Sequence, residues 1–201
     1  MNANAEEFEI KDRLKLIESM MAEGRHSTEN WGWTFVLWGV AYFIATAWSS
    51  LGANGKVLAW PVTMIAAAII TVFGAARTKN GQPETTLGRA VGAVWSAMGM
   101  SLFILLMSLG WSHHYDTNVA VAIIGAMLGT ANAACSFMLK WKMQFACAVA
   151  WLASTIVACF GTEAQAFIAF LVATFFCQIV FGVYAMICES RRRRQGGAVH
   201  A

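Results

Sequence analysis

His113, His114 and Asp116 stand together in the stretch SHHYDT, and two imidazoles with a carboxylate can hold a divalent ion. Adjacent histidines in a short polar connection are more often simply solvated, so no metal is assigned to them. The other histidines are His26 and His200, and all four lie outside the long apolar runs. That removes two chemistries needing imidazole between helices: a serine nucleophile with a histidine base, and a haem held by two axial histidines. Within the apolar runs the polar side chains are uncharged. Asn132 and Gln178 fall near the middle of two of them. Such amides either bond across helices as glue or line a small neutral pocket, together with deep aromatics such as Trp38 and Tyr42. Ser96, Ser101, Thr130, Ser136, Thr155 and Thr174 can serve either arrangement.

The elements that carry these residues follow from composition. The chain has 201 residues, 58% hydrophobic and 12% charged, with a mean hydropathy of +0.56. That is too apolar for a soluble domain of this size. Crossing a hydrocarbon core takes about 20 apolar residues in a helix. Six runs meet or approach that length: 31–51, 57–76, 90–111, 118–139, 143–160 and 166–188. They are continuously apolar, not alternating, so helices are expected and not barrel strands. The expected fold is an all-α polytopic membrane protein with a six-helix transmembrane bundle at 31–188. An amphipathic cytoplasmic helix within 1–30 precedes it and a basic cytoplasmic tail at 189–201 follows it.

No Asp, Glu, Lys, Arg or His lies inside the six runs. Intramembrane ionisable groups mark proton relays and ion paths, so an ion-coupled transporter is disfavoured, as are most membrane enzymes. The five cysteines sit within the runs or at an end, with no Cys-x-x-Cys pair, so neither disulfides nor a zinc ribbon is expected. The acidic opening Glu6, Glu7 and Glu9 does not read as a cleavable signal, which leaves the first run as the insertion signal.

Threading the six runs puts all but Lys56 of the 14 Lys and Arg residues on one face, which the bias of basic loops makes the cytoplasmic one. Both termini lie there. The tail ICESRRRR adds a stop-transfer signal and four arginines for anionic lipid headgroups, and is too short to argue for nucleic acid. Trp31, Trp33 and Trp141 suit one interfacial belt, and Trp48, Trp60 and Trp111 the other, while Trp38, Trp95 and Trp151 lie deeper. Pro61 is placed in the first turn of the second run, where helices accept it. In the fourth run Gly125-x-x-x-Gly129 lets backbones approach closely. Sliding the first three runs over the last three shows no internal repeat, which removes support for an inverted-repeat transporter.

Steps of four and three from Ile10 through Leu14, Ile17, Met21, Gly24, Thr28, Trp31, Phe35 and Trp38 to Tyr42 form a heptad register. It permits one long helix over 10–50. A break between Gly24 and Asn30, capped by Ser27, Thr28 or Asn30, fits equally. In both cases Ile10, Leu14, Ile17 and Met21 make an apolar seam on a net acidic helix. That charge argues against lying on an anionic membrane and for a partner element, from a second copy, from the bundle's own loops or from another protein.

The passage from Leu14 through Met20 and Met21 to Gly32-Trp33-Thr34-Phe35-Val36-Leu37-Trp38-Gly39 resembles the start of a group of small bacterial inner-membrane proteins. In these a charged helix leads into a Trp-Gly-rich first span. The resemblance covers about a fifth of the chain and implies a bacterial inner-membrane setting, with no activity attached. The expected function is a non-enzymatic anchor, scaffold or regulatory component working through its N-terminal helix. The alternative is a facilitator or exporter of small neutral or lipophilic molecules. Membrane lipids are the expected surroundings, and no cofactor and no nucleic acid is expected.

Overall fold

The computed structural model describes residues 3–51, 53–78, 86–112 and 116–198. The described chain is all-helical. It contains α1 (Ala3–Asn30), α2 (Gly32–Ser49), α3 (Ala53–Thr78), α4 (Thr86–Trp111), α5 (Thr117–Leu139) and α6 (Lys142–Phe160). The seventh helix is continuous but compound: α7 (Glu163–Thr174), a π-helical turn (Phe175–Val180) and α8 (Phe181–Ala198). Five helices are long and apolar enough to cross a membrane: those containing Leu58–Arg77, Thr86–Trp111, Thr117–Leu139, Lys142–Phe160 and Glu163–Arg192. The helix expected as the first of six, α2, is not among them. Its 18 residues carry Trp33, Trp38, Tyr42 and Trp48, whose polar N–H and O–H groups lower its hydropathy.

Sequence punctuation accounts for the sharpest boundaries. Asp116 caps α5, its Oδ1 accepting from the backbone N–H groups of Asn118 at 2.7 Å and Val119 at 3.2 Å. Lys140 closes the same helix in the left-handed conformation at φ 48°, and the Trp141 N–H reaches back to Ser136 O at 3.1 Å. Thr162 and Gln165 make a reciprocal capping box on α7. That helix therefore starts at Glu163, inside a stretch expected to be a loop.

Of the two arrangements left open for residues 10–50, the break is the one that forms: the chain is interrupted at Trp31 (φ −92°, ψ 7°), just beyond the expected interval, with no side-chain cap on α2. Thr28 instead turns its hydroxyl back to Gly24 O at 3.1 Å. Pro61 lies inside α3, which begins at Ala53, and not in a first turn.

The core is centred on α5. Over half of its apolar stretch is buried, against 11% for the stretches in α3 and α4. The exposed faces of α3 and α4 carry Ile65, Ile69, Val72, Phe73, Met100 and Ile104. α2 runs antiparallel to the last helix. A Cβ on Gly32 would stand 2.9 Å from the Ala185 Cβ, and one on Gly39 would stand 2.9 Å from the Gln178 Cβ. Trp60 and Trp141, expected at interfaces, pack on the core: Trp141 is buried, its ring 5.1 Å from that of Phe181, and half-buried Trp60 packs on Tyr42 and Phe170. Trp111 is 87% exposed.

The π turn follows from the burial pattern. Ala173, Cys177, Phe181 and Ala185 are all buried, in three successive steps of four. On a straight α-helix each such step overshoots a turn by about 40°. The wider π turn absorbs the excess and keeps all four on one face.

Candidate functional site

Two features carry polar or interactive side chains that structure alone does not use up: the projecting half of α1, and a layer of buried polar groups across α5, α6 and the last helix.

The C-terminal half of α1 is fixed to the bundle. Gly24 admits Leu87 of α4 and Leu139 of α5 so closely that a Cβ there would stand 2.6 Å from one and 2.8 Å from the other. Thr28 and Glu29 are buried, and Glu29 Oε1 lies 3.4 Å from the Arg192 guanidinium. These contacts gather the ends of α1, α4, α5 and α8 at one end of the molecule, where Arg89, Lys140, Lys142, Arg191, Arg192 and Arg194 also stand on helix ends.

The N-terminal half of α1 touches none of this. Residues 9–20 are exposed on every side, including Ile10, Leu14 and Ile17 of the seam, while Met21 is half-buried. The seam is therefore split. Its Gly24 and Thr28 positions are consumed by the bundle, and Ile10, Leu14 and Ile17 are left free. Two ion pairs one turn apart brace this free part: Lys11 with Glu7 at 2.6 Å and Arg13 with Glu9 at 2.5 Å.

Deeper in, Gly125 and Gly129 set α5 against α6. A Cβ on Gly125 would stand 2.5 Å from Thr155 Oγ1 and 2.9 Å from Trp151 O, and one on Gly129 would stand 2.8 Å from the Leu152 side chain. Three and seven residues beyond Gly129, Asn132 and Ser136 continue that face toward the first turns of α6, where Gln144 sits. Asn132 donates Nδ2 to Leu128 O of its own helix at 2.8 Å. Its Oδ1 has no partner, nor have Gln144 Oε1 and Nε2, Trp151 Nε1, Thr174 Oγ1 and Gln178 Oε1, all of them buried. Each such atom costs on the order of 1–3 kcal/mol if nothing satisfies it. Tyr42 closes one side of the core, its ring 6.3 Å from Trp38 and 5.9 Å from Phe170.

No protein-family model, curated protein or solved structure matches the chain. Function must therefore be argued from these groups themselves. The polar layer is uncharged: Glu29 is the one charged residue among the described buried ones, and it lies at the basic end. Such a layer can bind through hydrogen bonds but holds no general base among the described residues. Of the loop trio, His113 and His114 lie outside the described residues, and one Asp116 oxygen is spent on capping α5.

Sequence reading passed over Gln144 and Glu29. Gln144 stands at the edge of the run 143–160, yet it is spaced by three, four and seven from Cys147, Ala148 and Trp151, all buried. Glu29 was counted with the acidic surface of α1. Its burial depends on Arg192, some 160 positions away, and no local pattern announces that.

Proposed function

We infer that this chain is a six-helix membrane protein of the bacterial inner membrane, with both termini cytoplasmic, acting as a non-enzymatic scaffold or anchor that presents α1 to a helical partner. The single observation that carries this reading is the split seam. A helix fixed to the bundle by Gly24, Thr28 and Glu29 leaves Ile10, Leu14 and Ile17 more than half exposed. Support for the membrane comes from the five long apolar helices and from the apolar faces of α3 and α4, which lipid would cover. In that setting α2 is the sixth crossing, its hydropathy lowered by its tryptophans and tyrosine, and the cluster of basic helix ends is assigned to the cytoplasmic side.

The test is a triple substitution, Ile10→Asp, Leu14→Asp and Ile17→Asp, in the full chain. Membrane insertion should be unchanged and association with the partner should be lost in pull-downs from native membranes. Association that survives the substitution removes the scaffold reading.

A second reading, a facilitator of small neutral molecules, is favoured by the unpartnered atoms of Asn132, Gln144 and Gln178. Asn132→Leu separates the two. As an inert core position it should leave stability unchanged or raise it by about 1 kcal/mol, because an unsatisfied buried acceptor is removed. Thermal unfolding in detergent reads that effect. If the layer is a binding site, the same variant should also abolish solute flux in reconstituted vesicles.

A further inference from the structure

The free part of α1 is exposed all round from residue 9 to residue 20. An isolated helix of that length is marginal in water. Its seam and its charges together define what can cover it, and this argument rests on the reading of α1 as a docking helix.

The spacing Ile10, Leu14, Ile17, Met21 fixes the heptad register. Ile10 and Ile17 take d positions, and Leu14 and Met21 take a positions. Lys11 and Glu18 then occupy e, and Arg13 and Met20 occupy g. When two helices pair in parallel and in register, a g residue of one stands beside the e residue five places later on the other. Arg13 thereby meets Glu18. By sequence Glu6 holds the preceding g position and falls beside Lys11. Every charged e–g encounter that this helix makes with itself is attractive.

We propose that the occupant of the seam is a second copy of this chain, with α1 helices of neighbouring copies packed in parallel through Ile10, Leu14, Ile17 and Met21 and with Arg13 of each copy paired to Glu18 of the next. In copies inserted in one membrane in the same sense, α1 arms that project away from the membrane point the same way, so the parallel arrangement is compatible with the topology. Confinement to the membrane raises the effective concentration of so short a coil. The pairs Lys11–Glu7 and Arg13–Glu9 are solvent-exposed and worth little, so neighbouring copies can draw these side chains away. Leucine at a with isoleucine at d favours three or four strands over two. Exposed Met20 at g widens the seam in the same sense.

The experiment co-expresses two differently tagged full-length copies and measures how much of the second tag is recovered with the first from mildly solubilised membranes. Arg13→Glu sets Glu against Glu18 of the neighbour, and Glu18→Arg sets Arg against Arg13. Each variant alone should lose recovery by at least tenfold. Arg13→Glu on one tag co-expressed with Glu18→Arg on the other should regain at least half, because both encounters become attractive again. Neither change restores the Glu9 contact within the helix, so the rescue reports the contact between chains. Single variants that co-purify like the original chain, or a mixed pair that stays apart, overturn the proposal. If copies never co-purify while the seam triple-aspartate variant still sheds a different protein, the scaffold reading stands and the second copy does not. If that variant sheds nothing either, both fall.

Discussion

Gly125→Leu is expected to cost about 3 kcal/mol and to part α5 from α6. Forcing side-chain atoms into a filled interface typically costs about 1–3 kcal/mol, with the upper end where nothing can move aside. Here the first added carbon already stands 2.5 Å from Thr155 Oγ1, 2.8 Å from Ser154 Oγ and 2.9 Å from Trp151 O. The last is backbone and cannot rotate away. Because α5 is the centre of the core, its displacement also disturbs α4 and the last helix. Gly92→Leu on α4 is the matched control, since a Cβ there meets nothing within 4 Å. Equilibrium unfolding in mixed micelles, followed by tryptophan fluorescence, should separate the two variants clearly. Equal stability would mean that the α5–α6 contact is looser than described.

Trp151→Ala should be comparably severe, at about 3–5 kcal/mol. Trp151 has no exposed surface and its ring lies 6.1 Å from that of Phe170, so truncation leaves a void bounded by α5, α6 and α7. The effect comes from lost packing contacts and not from its N–H, which has no partner. Trp151→Phe should therefore recover more than half of the loss. If phenylalanine is as damaging as alanine, the indole N–H has a partner, and the polar layer around Gln144 and Asn132 is hydrogen-bonded through it.

The apolar helices were legible because their runs are continuously apolar over about 20 residues and do not alternate as strands do. The α5–α6 contact was legible through Gly125 and Gly129, whose spacing carries meaning on its own. Two kinds of feature stayed hidden. Trp141 is buried and Trp60 half-buried against the core although their positions near run ends suit an interfacial belt, because belt and core use the same side chain. The break was one of two readings the sequence left open, but its place at Trp31 was hidden, because Gly24 and Thr28 are held inside α1 by its packing: Gly24 lies against Leu87 and Leu139, and Glu29 against Arg192. The seam read as continuous in sequence is divided in space for that reason.

The π turn at Phe175–Val180 makes the last helix an indexing device. Straightening it into α-helix with every residue kept would leave Ala166, Phe170 and Ala173 in place and rotate everything beyond by about 100°. Phe181, Gly182 and Ala185 would swing away from α2, and Arg192 would leave Glu29 without its counter-charge. A change of winding at one interior turn would thus be delivered to the far end as a change of heading. The attitude of the α1 arm depends in part, through that ion pair, on how one turn of the last helix is wound.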